Sequence, residues 1–355
     1  MTGPQPRPSV SAMPPYVAGK PASADAFKLS SNENPYPPLP GVLEAAVTAA
    51  ASMNRYPDMG NAALYAALAE AYDVPATDLA VATGSTGLIY GLLSAFCEPG
   101  DEVLYAWRSF EAYPIAVLAA GATSVQVPLL ADGRHDLDAM AAAVGERTKV
   151  VLLCSPNNPT GPALTQAEVD GFLDRVPDDV LVVLDEAYIE FVRIDGPVDG
   201  VATYRGHSNV TILRTFSKAY GLAGFRVGYC IAPQPVAAAL RAVTLPFGVN
   251  LVAQAAAVAS LAARAELLER VDALVGERTR VLAGVRAAGW EVPDAQGNFV
   301  WFGFPDQPER IAAFVAAAEG LGIMVRPLGT DGVRVTIGED EANDRLIRLA
   351  ETFER

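Results

Sequence analysis

Histidine is nearly missing from this chain: 355 residues carry only His135 and His207. Two widely separated histidines leave little for a histidine-built metal site, and no metal is expected; a triad that depends on histidine is disfavoured too. Cysteine is almost as scarce. Cys97, Cys154 and Cys230 form an odd, scattered set in apolar surroundings, which is a poor disulfide framework and reads as core thiols in a reducing compartment. Cationic residues are in deficit, with 26 Lys and Arg against 41 Asp and Glu and a formal net charge of -15. That balance argues against a phosphate-backbone partner, so nucleic acid is not expected. No apolar run approaches the ~20 residues that cross a bilayer, and the start, Met1 to Pro15, lacks the basic-then-apolar order of a signal peptide. A soluble, cytoplasmic protein without a membrane partner is the expectation.

What the chain has in abundance is apolar residues, 51% of the total, enough for a large core. The proline-rich start ends near Lys20, and Leu29-Ser30-Ser31-Asn32-Glu33-Asn34-Pro35 turns into a second proline cluster. Such polar, proline-bearing stretches have no core of their own and read as arms or loops lying on something else. After a helix-like stretch from Val42 to Ala51, residues 60–245 alternate between helix-like runs (Ala62–Tyr72, Gly87–Phe96, Gln166–Arg175) and short apolar runs. The apolar runs are Glu102–Tyr105, Ser124–Pro128, Lys149–Cys154, Val180–Leu184, Val210–Leu213 and Val227–Ala232. Continuous Val/Leu runs without polar alternation suit strands covered on both faces, and strands separated by helices predict an α/β, doubly wound domain. Residues 250–290 read as mostly helix. Strands over Phe299–Phe304, Ile323–Arg326 and Gly332–Ile337, with helices over Ile311–Gly320 and from Asp340 onward, predict a smaller α+β unit.

In sheets of this kind the reactive groups gather at the carboxyl ends of the strands. Four segments fall there. Thr215-Phe216-Ser217-Lys218 follows an apolar strand and leads through Gly221 and Gly224 to Arg226. A lysine is usually a solvated charge, but hydroxyls and a second cation around this one suit a phosphate ester held beside an amine nucleophile. Ser155-Pro156-Asn157-Asn158-Pro159-Thr160-Gly161 follows a second strand, and read alone is a turn. Leu184-Asp185-Glu186-Ala187-Tyr188 follows a third, where the acid could merely cap a helix. Thr83-Gly84-Ser85-Thr86-Gly87 opens a helix, a backbone donor cluster that favours phosphate. In Val333-Arg334-Val335-Thr336-Ile337 the arginine lies opposite three apolar residues.

Taken in order along the chain, these segments resemble the fold-type I transferases that depend on pyridoxal 5′-phosphate. The resemblance lies in the branch holding histidinol-phosphate and aromatic amino acid aminotransferases, and extends from Tyr16 to the last helix. A finer resemblance, to actinobacterial aromatic amino acid aminotransferases, rests on Trp107-Arg108-Ser109-Phe110-Glu111, Arg214 to Gly224, Asn298-Phe299-Val300-Trp301 and Gly329 to Thr336. It implies a large domain with a mainly parallel sheet flanked by helices and a smaller α+β C-terminal domain. The expected division is an arm over residues 1–40 packed on the small domain, the large cofactor-binding domain over 41–245 and the small domain over 246–355.

The resemblance also implies roles. Lys218 holds the cofactor as a Schiff base and shuttles the proton; Asp185 keeps the pyridine nitrogen protonated. Asn158 and Tyr188 bond the ring hydroxyl oxygen, and Phe110 stacks on the ring. Ser85, Thr86, Thr215, Ser217 and Arg226 hold the phosphate, with Tyr56 reaching across a homodimer. Arg334 anchors the substrate carboxylate, with Arg326, Asn34 and Tyr16 at the same mouth; Trp107 and Phe247 are further apolar-wall candidates. The implied activity is ping-pong transfer of an aromatic amino acid's amine to a 2-oxo acid such as 2-oxoglutarate. Histidinol-phosphate aminotransferase is the alternative, because an arginine serves a phosphate as well as a carboxylate.

Overall fold

Strand formation follows the β-branched and leucine-rich runs. A computed structural model describes residues 3–354 other than residues 12, 18, 20 and 22–24, so the end of the proline-rich start near Lys20 lies outside the described residues. The strands in chain order are β1 (Phe27–Lys28), β2 (Leu79–Ala82), β3 (Glu102–Trp107), β4 (Thr123–Pro128), β5 (Thr148–Cys154), β6 (Leu181–Asp185), β7 (Val210–Thr215), β8 (Gly228–Ile231), β9 (Phe299–Gly303), β10 (Ile323–Met324), β11 (Arg326–Leu328) and β12 (Gly332–Thr336). Seven of them form one sheet in the order β2-β8-β7-β6-β5-β3-β4. Only β8 runs antiparallel to its neighbours β2 and β7; every other pairing in the sheet is parallel.

Both faces of this sheet are covered, as the unbroken apolar runs require. On one face Val103, Val150, Leu152, Val183 and Leu213 pack under the helices Gly84–Phe96, Ala112–Ala120 and Gln234–Val243. On the other face Leu104, Val151, Leu153, Val182 and Leu184 meet Val169 and Phe172 of the helix Gln166–Leu173. That helix starts at a capping box in which Thr165 accepts from Glu168 N and the Glu168 side chain answers the Thr165 N–H. The three cysteines are buried free thiols.

The α/β expectation holds, with two differences in detail. Leu79–Ala82 is a strand although no strand was expected there. Alanine at alternate positions gives Leu-Ala-Val-Ala the composition of a helix, and it becomes a strand because all four residues are buried beside β8. The run Ile323–Arg326 is not one strand. It breaks at Val325: β10 pairs in parallel with β1, whereas β11 pairs antiparallel with β12, which continues to β9. The change of partner carries Arg326 out of line with Ile323 and directly opposite Arg334. No single described helix is both long and apolar enough to cross a membrane.

Candidate active site

The parallel strands point their carboxyl ends the same way, so the loops after β3, β5, β6 and β7 open on one place. A cavity of about 190 Å³ lies there. Its walls bring together Ser85, Thr86, Phe110, Asn158, Asp185, Tyr188, Thr215, Ser217, Lys218 and Arg226 with Arg326, Arg334 and Tyr16. The large sheet's loops supply most of these residues, the small sheet β11-β12-β9 brings Arg326 and Arg334, and the arm brings Tyr16.

Asp185 is the last residue of β6, in register with Cys154 of β5. Alternation along β6 sends Leu181 and Val183 to one face, and Asp185 follows them toward the helix Gly84–Phe96. Its Oδ2 accepts from the Tyr113 hydroxyl at 2.7 Å. Its Oδ1 is buried with no hydrogen-bond partner among the described residues. Burial lifts this carboxyl to about 6, with the bond from Tyr113 opposing the rise. A buried carboxylate oxygen without a donor is expensive, and a cationic N–H against it would reverse the shift.

Lys218 sits three residues beyond β7 and donates to the Ser31 carbonyl at 2.9 Å. Burial, with the like charge of Arg334 next, brings its amine down to about 7. The Tyr188 hydroxyl accepts from Asn32 Nδ2 at 2.9 Å, and burial raises that phenol. Arg334 is 8% exposed; it donates to Asn158 Oδ1 at 2.6 Å and to the Ser30 carbonyl at 2.9 Å. Its Nε has no partner among the described residues. The bond to Oδ1 fixes the Asn158 amide so that Nδ2 is the end left to donate.

At the other end, the helix Gly84–Phe96 begins at Gly84, φ 81°, immediately before Ser85 and Thr86. A side chain at Gly84 would meet Arg226 Nη2 at 2.5 Å, and one at Gly228 would lie 2.4 Å from Ser85 N. Both glycines are needed for this close approach. Arg226 Nη1 donates to Ser217 Oγ at 3.1 Å and to the Ala223 carbonyl at 2.9 Å. A helix N-terminus, two hydroxyl loops and a guanidinium thus surround one small volume, which suits a phosphate.

Four of the residues singled out from sequence lie outside this cavity. Asn34 does not line this cavity: Nδ2 donates to the Ala219 carbonyl at 2.8 Å, and the residue faces a separate cleft with Lys28 and Glu33. Two residues of backbone turn it to the far side of the Lys218 loop, and Asn32 takes the inward position. Tyr56 is 81% exposed and stacks on Phe247 with ring centroids 4.5 Å apart. Phe247 and Trp107 also lie outside the small cavity; Phe247 lines a larger neighbouring cleft of about 1240 Å³ with Met59 and Leu245.

Sequence reasoning missed Asn32, Tyr113 and Glu111. Asn32 carried one signal: asparagine tolerates positive φ, and here φ is 53°. Tyr113 lies in the helix Ala112–Ala120 with no motif of its own, and Glu111, its N-cap, ends the Trp107–Glu111 segment that carried the resemblance without being given a role.

The family model for aminotransferase class I and II matches residues 24–349. An aromatic amino acid aminotransferase of Streptomyces avermitilis is 57% identical over 100% of this chain and 99% of its own length. One from Thermobifida fusca is 51% identical over 98% and 96% respectively. Among solved structures, histidinol-phosphate aminotransferase from Sinorhizobium meliloti in complex with pyridoxal-5′-phosphate superposes with a TM-score of 0.90 at 28% identity, covering 99% of this chain and 97% of that one. On this evidence of sequence and of strand-end geometry together, the chain belongs to the class I and II aminotransferase family.

Proposed function

We propose that this protein is an aromatic amino acid aminotransferase that uses pyridoxal 5′-phosphate and passes the amine to a 2-oxo acid such as 2-oxoglutarate. The observation that carries the reading is the pairing, in one cavity, of an orphaned Asp185 oxygen with a lysine whose amine is brought down to about 7. Bound there, the cofactor supplies an electrophilic carbon for an amine and a ring that withdraws electrons from the substrate.

The chain's own residues do the rest. Asp185 Oδ1, left without a donor, would hold a cationic ring nitrogen of the cofactor. Ser85, Thr86, Thr215, Ser217 and Arg226 would hold the phosphate, and Asn158 and Tyr188 would donate to the ring's hydroxyl oxygen. Phe110, in the cavity wall, would cover the ring face. Arg334 takes the substrate carboxylate through its free Nε edge. Lys218 Nζ would hold the cofactor and, once freed by the substrate amine, would take and return the proton at the substrate α-carbon. Tyr16 supplies an apolar wall at the mouth.

The exposed apolar surface around Tyr56, Met53, Met59 and Leu245 supports a homodimer in which Tyr56 reaches the partner's phosphate. A cytoplasmic location fits the free thiols. Full-length relatives at 57% and 51% identity favour an aromatic donor over histidinol phosphate. Single-turnover spectroscopy of the cofactor-loaded enzyme tests the choice. Rapid loss of the cofactor band with phenylalanine and slow loss with histidinol phosphate is expected; the reverse order would replace the aromatic reading.

A further inference from the structure

Arg326 and Arg334 are register partners across β11 and β12, so two guanidinium groups reach the same end of the cavity. They differ in what already holds them. Among the described residues Arg334 is hydrogen-bonded by neutral groups, Asn158 Oδ1 and the Ser30 carbonyl, with Nε left over. Arg326 is matched by a charge: its Nη2 lies 2.8 Å from Glu111 Oε2 and also donates to the Val17 carbonyl. The Tyr16 ring lies 5.9 Å from the same guanidinium. Within the pair the Arg326 side chain is 7% exposed and that of Glu111 is 28% exposed. The cation is fixed, and the carboxylate is the member with a route to water.

The number of free guanidiniums sets how many anionic groups the site can match. An amino acid with a neutral side chain brings one carboxylate, which Arg334 can take. A dicarboxylate brings two, and the second must either compete with Glu111 for Arg326 or go unpaired into a buried site, which is costly. We infer that Glu111 is a specificity-determining residue, an internal carboxylate that occupies Arg326 and weighs against substrates bearing a second anionic group. A dicarboxylate acceptor such as 2-oxoglutarate is not excluded by this: it pairs with Arg326 when Glu111 swings toward water, and that displacement is the cost a one-carboxylate substrate does not meet. The inference rests on the proposed function in one respect, that Arg334 takes the carboxylate common to all substrates.

The test is equilibrium binding to the cofactor-loaded enzyme, by calorimetry, of two probes that cannot react: glutarate, with two carboxylates, and hydrocinnamate, with one carboxylate and a phenyl ring. In Glu111→Gln the preference for glutarate over hydrocinnamate rises by about tenfold or more, the scale seen when one member of a close interfacial charge pair is removed. Glu111→Ser moves the preference the same way should the glutamine variant fail to fold. Glu111→Asp keeps the charge and stays within about threefold of the parent. In an Arg326→Gln background, Glu111→Gln leaves the preference where it was. An unmoved preference in the charge-removing variants, or a shift that persists without Arg326, overturns the inference. Because neither probe carries an amine, this result is separate from the reaction. Failure of the parent enzyme to turn over phenylalanine sinks the aromatic reading and leaves the binding result to be judged alone.

Discussion

Asn32 donates its side-chain amide to the Tyr188 hydroxyl at 2.9 Å, joining two residues 156 apart in the sequence. Asn32 is held in turn by Thr336, whose hydroxyl donates to Oδ1 at 3.1 Å and accepts from the Asn32 N–H at 2.9 Å. With the amide donating to its oxygen, Tyr188 keeps its proton to give away, which is the role the proposed function requires. Asn32→Gly keeps the φ of 53° accessible and removes the side chain with its amide. Leaving the buried Tyr188 and Thr336 groups short of a partner should cost about 1–3 kcal/mol of stability. Turnover should fall by about tenfold, the equivalent of 1.4 kcal/mol in the transition state. Thermal melts and steady-state kinetics read the two effects, and undiminished turnover would detach Asn32 from Tyr188's function.

The position of Lys218 makes a prediction about pH. Burial first and the Arg334 charge second both disfavour the ammonium form, bringing it to about 7, whereas an exposed lysine titrates near about 10.4. The reactive species is the neutral amine, so its fraction rises with pH and is half complete near 7. In cofactor-free protein, labelling by a small amine-specific reagent should therefore give a Lys218 rate that climbs between about pH 6 and 8 and then levels. Peptide mapping isolates the Lys218 site, and a profile there that climbs only well above that range, as a free alkylamine's does, would contradict the placement.

The strand-end residues were legible because each is tied by a few bonds to a strand that announces itself. Asp185 ends the Leu-Val-Val-Leu run of β6, and Ser217 and Lys218 follow β7, so locating the strands located the chemistry. Asn32 and Glu111 were not legible for the opposite reason. Their partners Tyr188 and Arg326 lie 156 and 215 residues away, and only the packed chain brings them together. Asn34 illustrates the same limit from the other side. It has the residue type and neighbourhood of a site residue, but a turn of two residues aims it at Ala219. The split at Val325 depends on β1 being available as a partner for β10, which no local pattern reveals.

Around Tyr56 the chain exposes a set of large apolar side chains, with Met53 at 79%, Met59 at 61% and Leu245 at 75%. Water is a poor neighbour for such a patch, and a second copy of the chain would cover it. Leu245→Asp places a charge in that surface without touching the sheet. It should shift the protein from dimer to monomer in sedimentation. It should also weaken retention of the cofactor by about tenfold or more if Tyr56 must cross to the partner's phosphate. A monomer that keeps its cofactor as tightly as the parent would remove Tyr56 from the phosphate site.

Gly228 tests the phosphate end of the cavity from beneath. Its Cα sits so close to the start of the helix Gly84–Phe96 that an added Cβ would lie 2.4 Å from Ser85 N, 2.6 Å from Gly84 C and 3.1 Å from the Arg214 carbonyl. All three are backbone atoms, so no rotamer change relieves the contact. Gly228→Ala must push the helix start away from β8, at a cost of about 1–3 kcal/mol in overpacking. The displaced groups are the Ser85 N–H and its neighbours, which the proposed function assigns to the phosphate, so on that reading cofactor affinity should fall by more than the loss of stability alone explains. Titration of the apo variant with pyridoxal 5′-phosphate, set beside its melting temperature without cofactor, separates the two. A lower melting temperature with unchanged affinity would mean that the helix start moves without carrying the phosphate site.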